Sequence, residues 1–399
     1  NKSRAVYMAG GVGTILYNTS DVDNLSSDSH WTPTVHIDQT PGLAIKAYIA
    51  SEASPTAAIV AEEYSEWPSA PSMAIFSSRG PNPVAPDIIK PDIIAPGVQI
   101  LAGHTPTPYD DYERPGELFQ AIQGTSMSSP HVAGIFALIK QARPHWSAAM
   151  AKSAMMTTAY QDVVDNDRMS PADPFDMGAG HMNPGGKWRK GSIIHPGLAY
   201  DAGLFEYAAF TCGMEWGVFT PGSCDFLRSI GIPSDPSDLN LPSIGIHELP
   251  GRQTVTRTVT SVAMEQGWRR YEAHVDAPLG YEVTVSPSEF KLKRGQTATY
   301  EVTITNVGAP IGEWRFGSLT WKDRTGRYEV YSPIAVNASL FFCPEELEGY
   351  GTTSGLSFDV IFGYSGSYAA GGHGFEPAIV TDDTVVQDPD QSFDPNDGY

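Results

Sequence analysis

The sequence predicts an α/β unit built on a parallel sheet, followed by an antiparallel β-sandwich of about 100 residues. Short apolar runs alternate with helical stretches as far as about residue 228, and from residue 238 to 338 the hydrophobic period falls to two. Charge divides the 399 residues at nearly the same places. Residues 1–237 carry 14 Lys+Arg against 24 Asp+Glu, residues 238–338 carry 11 of each, and residues 339–399 carry 11 acids and no base. Three charge regimes indicate at least three structural units.

Residues 1–60 open with Ala5-Val-Tyr-Met-Ala-Gly-Gly-Val-Gly-Thr-Ile-Leu-Tyr-Asn18, which reads as a helix end, a glycine turn and a short buried strand, Thr14 to Tyr17. Thr40-Pro41 suits the cap and first turn of a helix running to about Ala50. This piece is too small to bury much core by itself. In residues 61–228, Ser72-Met-Ala-Ile-Phe76 and Asp92-Ile-Ile94 read as short buried strands. His131-Val-Ala-Gly-Ile-Phe-Ala-Leu-Ile-Lys140 is apolar nearly all round, the pattern of a central, fully buried helix. A second helix follows, capped by Ser147 and running through Met155 to Ala159.

In residues 238–338, Gln253-Thr-Val-Thr-Arg-Thr-Val-Thr260, Tyr281-Glu-Val-Thr-Val285 and Thr299-Tyr-Glu-Val-Thr-Ile-Thr305 alternate strictly. Pro278-Leu-Gly280, Arg294-Gly295 and Asp323-Arg-Thr-Gly326 supply the turns between such runs. Residues 339–399 hold one further strand, Leu356 to Ile361, and an Asp- and Gly-rich end, and they read as the start of an acidic β domain.

A net charge of −21 argues against nucleic acid as a partner, because phosphate binding needs clustered Lys and Arg. No apolar run approaches the ~20 residues of a membrane helix. Three cysteines exclude a disulfide scaffold. Cys212 and Cys224, twelve apart, leave a disulfide and two buried thiols equally open, and Cys343 has no third partner. No Cys/His set has zinc-ligand spacing. Asp382, Asp383, Asp388, Asp390, Asp394 and Asp397 invite calcium, but without glycine-punctuated spacing they read as a solvated acidic tail, so no cofactor is assigned. Asn18, Asn24 and Asn337 stand in glycosylation triplets, a pattern common by chance.

The one strong motif is Gly124-Thr-Ser-Met-Ser-Ser-Pro-His-Val-Ala-Gly134. Gly124 permits a tight turn, and a helix N-terminus offers unpaired N–H groups and a positive dipole end where an oxyanion develops. Pro130 suits a first helical turn, where its missing N–H costs nothing. By turn chemistry alone, Thr125, Ser126 or Ser128 is simply a cap.

The full eleven-residue string resembles the nucleophile motif of the subtilisin-like serine proteases. Phe76-Ser-Ser-Arg-Gly-Pro81 with Lys90-Pro-Asp-Ile-Ile-Ala-Pro-Gly97 resembles the strands before the nucleophile in the large, plant-type branch. Asp176-Met-Gly-Ala-Gly-His-Met-Asn-Pro184 and His195-Pro-Gly-Leu-Ala-Tyr-Asp201 look like that branch's later loops. The resemblance implies the end of a protease-associated (PA) insertion in 1–60, the C-terminal half of the catalytic domain, a partial three-layer parallel sheet, in 61–228, and a fibronectin type III-like sandwich in 238–338. It implies secretion, protein or peptide substrates, and Ser126 as the acyl-transfer nucleophile with its own N–H as an oxyanion donor.

Such chemistry needs a His base and an Asp to orient it. The family carries them in Asp-Ser/Thr-Gly and Gly-His-Gly-Thr strings, and neither occurs here. Gly103-His-Thr-Pro106 leads into a Pro-rich loop, and Asp201-Ala-Gly203 belongs to a later loop. His131 lies ~140° around the helix from Ser126. His181 and His195 suit structural roles. In the family's order the Asp, His and oxyanion Asn precede the PA insertion, so the resemblance implies an N-terminally truncated, inactive fragment rather than a degenerate enzyme. The competing expectation is a non-catalytic binding module built from PA and fibronectin-like domains.

Overall fold

The structure, a computed structural model, describes residues 2–21, 29–60, 71–107, 116–167, 169–185, 191–214, 216–343 and 360–363. Helix α1 (Lys2–Met8) leads through a glycine turn to β1 (Thr14–Tyr17), which pairs in parallel with β2 (Thr34–Ile37). In β1 only Thr14 is buried, contrary to the buried strand expected, because two strands cannot enclose a core. Helix α2 (Gln39–Ser51) starts earlier than Thr40, with Asp38 at the N-cap position. The Thr40 N–H donates instead to Asp21 Oδ1 at 2.8 Å.

The runs expected as strands at 72–76 and 92–94 make single parallel bridges, Ser72 to Val164 and Ile94 to His181. Pro71, Pro91 and Pro96 flank them and lack the N–H that a longer ladder needs. Strands β3 (Ile100–Gly103) and β4 (Phe119–Ile122) pair antiparallel, Ile100 opposite Ile122. Among the described residues before 198, parallel pairing is confined to β1–β2 and those two bridges.

Helix α3 (Thr125–Ala142) is the all-apolar helix, but only Ile139 in it is buried, and Leu138 is 55% exposed. Its covered side meets Met155, Trp146 and Ile193, and no described element closes over the opposite face. The central position belongs to α4 (Ala148–Thr157), where Ala151 and residues 153–157 are buried. Ser147 caps α4 as expected, accepting the Met150 N–H at 2.9 Å. Helix α5 (Pro174–Met177) is held by a capping box of Asp173 and Asp176.

Strand β5 (Leu198–Tyr200) then leaves the α/β unit and joins the sandwich. After it come α6 (Leu204–Gly213) and α7 (Pro221–Ser229), joined by the Cys212–Cys224 disulfide across a Cα separation of 5.7 Å.

The sandwich holds β6 (Ile244–Pro250), β7 (Arg252–Ser261), β8 (Arg269–Asp276), β9 (Tyr281–Ser286), β10 (Glu289–Leu292), β11 (Thr297–Asn306), β12 (Trp314–Asp323) and β13 (Glu329–Ser339). One sheet is ordered β10-β8-β12-β13-β6 and the other β5-β7-β11-β9. Every pairing is antiparallel except β6–β13, which is parallel. Alternation does its expected work: in β7, Val255, Arg257, Val259 and Ser261 point inward. Trp321, Tyr271, Tyr300 and Tyr328 fill the core, where Tyr200 of β5 shares a 2.7 Å hydroxyl contact with Tyr300.

Arg257 is fully buried and donates to the carbonyls of Leu241, Thr256, Ser237 and Ser243 at 2.7–3.1 Å. Burial holds its pKa below the usual guanidinium value. The side chain thereby staples the linker to β7 with charge-assisted bonds. Beyond it, β14 (Phe341–Phe342) pairs with β15 (Ile361–Phe362). Of the strand expected from Leu356, residues 356–359 lie outside the described residues, as do the six clustered aspartates and Asn24.

Candidate active site

Ser126 occupies the first turn of α3, directly after β4 and Gly124. Gly124 has φ 155° and ψ 160°, outside ordinary L-residue space, and stands at the N-cap with no side chain to cap the helix. The Met127 N–H bonds the Gly124 carbonyl at 2.9 Å, whereas the Ser126 N–H has no intrahelical acceptor at this position. Ser126 is exposed. A hydroxyl and an N–H thus lie together at the positive end of an 18-residue helix, suited to an oxyanion.

Two bonds hold this turn from outside. Gly124 N–H donates to Gly97 O at 2.9 Å, and Ser128 Oγ donates to Ala95 O at 2.9 Å. The loop 95–97 therefore grips the chain on both sides of Ser126. Glycine is required at 97, since a Cβ there would stand 2.3 Å from Ser128 Oγ. Sequence reasoning did not assign this role to Gly97 or Ser128. The Ala95-Pro-Gly97 string was its only trace.

Pro130 sits in the second turn of α3, not the first, because the helix already begins at Thr125. With no N–H, it leaves the Ser126 carbonyl without its helical donor.

The strings that surround the motif in sequence also meet in space. Arg79 pairs with Asp173 and Asp176, and these carboxylates hold its guanidinium above its usual pKa although partial burial works against that. Asp92 lies between Lys90 and Lys152, the latter at 2.6 Å. Burial works to raise the Asp92 pKa, and the two ammonium groups outweigh it and hold the carboxyl low. Gly178 packs on Pro91 and Asp92, leaving no room for a side chain at its φ of 61°.

Among the described residues no histidine is hydrogen-bonded to Ser126. His131 Nδ1 is bonded to Met127 O at 2.8 Å within its own helix, and His181 Nδ1 to Met182 O at 2.9 Å. His195 Nδ1 accepts from Arg143 Nη2 at 2.7 Å; burial and that guanidinium lower its pKa. Asp201 accepts the Ser147 hydroxyl at the start of α4. Among the described residues no group of three or more His, Cys, Asp or Glu is arranged to hold a metal ion. Two glycosylation triplets are engaged in packing: Asn18 donates to Asp38 Oδ1 at 2.9 Å, and Asn337 Oδ1 is buried in β13.

The described residues thus carry an exposed serine at a helix N-terminus, on an α/β unit joined to a β-sandwich. Known proteins agree. The family model described as "Subtilase family" matches residues 21–180, and that described as "Fibronectin type-III domain" matches residues 238–336. Subtilisin-like protease SBT1.7 of Arabidopsis thaliana is 37% identical over 359 residues, covering 84% of this chain and 45% of that protein. Subtilisin-like protease SBT1.4 of the same plant is 38% identical over 364 residues, again covering 84% and 45%. The chain spans less than half the length of these curated relatives. Among solved structures, a FixG-related protein from Vibrio parahaemolyticus is 10% identical with a TM-score of 0.20, covering 22% of this chain and 80% of that one. The chain belongs to the subtilisin-like serine protease family.

Proposed function

We propose that Ser126 is the nucleophile of a peptide-bond-cleaving serine protease acting through an acyl-enzyme. The observation that carries the reading is the Gly124-Thr-Ser126 turn: an exposed hydroxyl at the amino end of α3, clamped on both sides by the loop 95–97. Ser126 Oγ attacks the scissile carbonyl as its proton passes to a base, and the Ser126 N–H at the helix end stabilises the oxyanion. The reading takes the base and its orienting carboxylate from outside these residues, because neither family string occurs here and His131, His181 and His195 are bonded elsewhere. The 1–60 segment is read as the end of a PA insertion. Acyl transfer of this kind needs no cofactor. Substrates are proteins or peptides, and the Cys212–Cys224 bridge fits an oxidising, extracellular compartment. No described helix is long and apolar enough to cross a membrane.

A serine-directed fluorophosphonate tests this on the natural-length protein from its source. The label lands on Ser126, located by peptide mass mapping, and disappears in Ser126→Ala. The 399 residues alone react roughly 10⁴ to 10⁶ times more slowly, the usual loss when triad members are absent. Labelling that persists in Ser126→Ala overturns the reading. A natural-length protein that never labels leaves a binding module as the better account.

A further inference from the structure

Among the polar contacts between the α/β unit and the sandwich, the one at Asp87 lies apart from the chemistry at Ser126. Asp87 lies between buried Ala85 and buried Ile88 and Ile89, and its Oδ1 accepts the His247 backbone N–H of β6 at 2.7 Å. The approach is close: a Cβ on Gly245 would stand 2.3 Å from the Asp87 carbonyl oxygen, so β6 lies directly on this loop. The surroundings are apolar. The His247 ring stacks on Trp314 at 5.7 Å, with its Nδ1 buried and unpartnered. Trp314 meets Phe175 edge-on at 4.8 Å, and Phe175 packs with Ile89 and Ala335. A single carboxyl is thus set into the seam between the two units, facing His247 and Glu248 on β6 and Asp235 in the loop before it.

We propose that the Asp87–His247 contact is a pH-responsive clasp, holding the sandwich to the Ser126-bearing unit more tightly in acid than at neutral pH. Burial pushes the Asp87 carboxyl up to about 6; the His247 N–H opposes that, and the negative charges of Asp235 and Glu248 add to it. The unfolded carboxyl titrates near 3.8, so between 3.8 and about 6 the folded junction holds the extra proton. Stability from this group is therefore full in acid and is lost as pH rises through the folded value. Above it, a carboxylate stands in an apolar seam beside two other acids, which disfavours the closed junction. The clasp does not depend on the role of Ser126.

Asp87→Asn keeps the Oδ1 acceptor and removes the charge. At pH 7.5 the variant should unfold about 2 °C or more above the wild type, and at pH 5 the gap should shrink to about half. A gap that is the same at both pH values, or a variant less stable at pH 7.5, overturns the clasp. Should the variant fail to fold, wild-type hydrogen exchange decides. Protection of residues 245–249 relative to 300–304, corrected for intrinsic rates, should fall several-fold from pH 5 to pH 7.5, up to roughly tenfold. A ratio that does not move overturns it.

Discussion

The sandwich and the Ser126-bearing unit bury their apolar residues in different ways. In the sandwich one continuous core runs from Leu198 and Tyr200 through Val255, Tyr300 and Trp321 to Val336, with contributions from both sheets. In the Ser126 unit the buried residues fall into small groups, such as Ile139, Ala151, Met155 and Ile193, or Val163, Ala172 and Met177. Some of its best-packed residues lean on the sandwich: Ile89 and Phe175 pack with Ala335, Trp314 and Phe316, and Tyr200 has crossed into the β5-β7-β11-β9 sheet. A sandwich closes a core by itself, because every strand contributes one face. The Ser126 turn stands on a unit whose stability is partly borrowed from its neighbour.

The largest expected effect breaks that dependence at its source. Trp321 is fully buried, with its ring 4.4 Å from Phe290 and 4.9 Å from Tyr300. Trp321→Ala should cost about 3–5 kcal/mol in denaturant unfolding followed by near-UV circular dichroism. Because β5 belongs to the sandwich sheet and α4 packs on β5, protection of the α4 amides should fall with it. A variant in which the sandwich loosens while α4 keeps its protection would show the two units to be independent.

A smaller, local effect belongs to the disulfide. Cys212 and Cys224 close a loop with a separation of 12 residues, worth ~3 kcal/mol by chain entropy. Replacing both with Ser should speed proteolysis between α6 and α7 while leaving the sandwich transition within about 0.5 kcal/mol. Spread of the damage into the sandwich would mean that α6 and α7 support more than their own packing.

These contrasts also explain what was legible in the sequence. The alternation in 253–260, 281–285 and 299–305 marks β7, β9 and β11 to within two residues, since one buried face per strand writes itself into the period. Ser147 was legible as a cap because capping is local. Strand β5 was not: Leu198-Ala-Tyr200 is too short to show a period, and its place depends on Tyr300, 100 residues away. The seam at Asp87 depends on a contact 160 residues long and was equally invisible. At the candidate site, the eleven-residue string pointed to Ser126, whereas the grip of the loop 95–97 on Gly124 and Ser128 left no such signal. The start of α3 was misjudged through Pro130, because proline is permitted in a first turn but does not define one.

The smallest expected effect belongs to the exposed face of α3, a helix whose sequence implies burial on every side. Ile139 and Leu138 are adjacent and alike in size, yet Ile139 is fully buried while Leu138 is 55% exposed. Ile139→Ala removes side-chain contacts with Met155 and its neighbours and should cost about 2–5 kcal/mol. Leu138→Gln changes an apolar group already in water, on a helix position that accepts Gln readily, and should stay within about 0.5 kcal/mol. The pair reads one helix from two sides in the same urea titration. Equal effects would require a cover over the outer face of α3. The unequal effects expected here would place the weak side of the Ser126 unit on that face, away from the side that rests on α4.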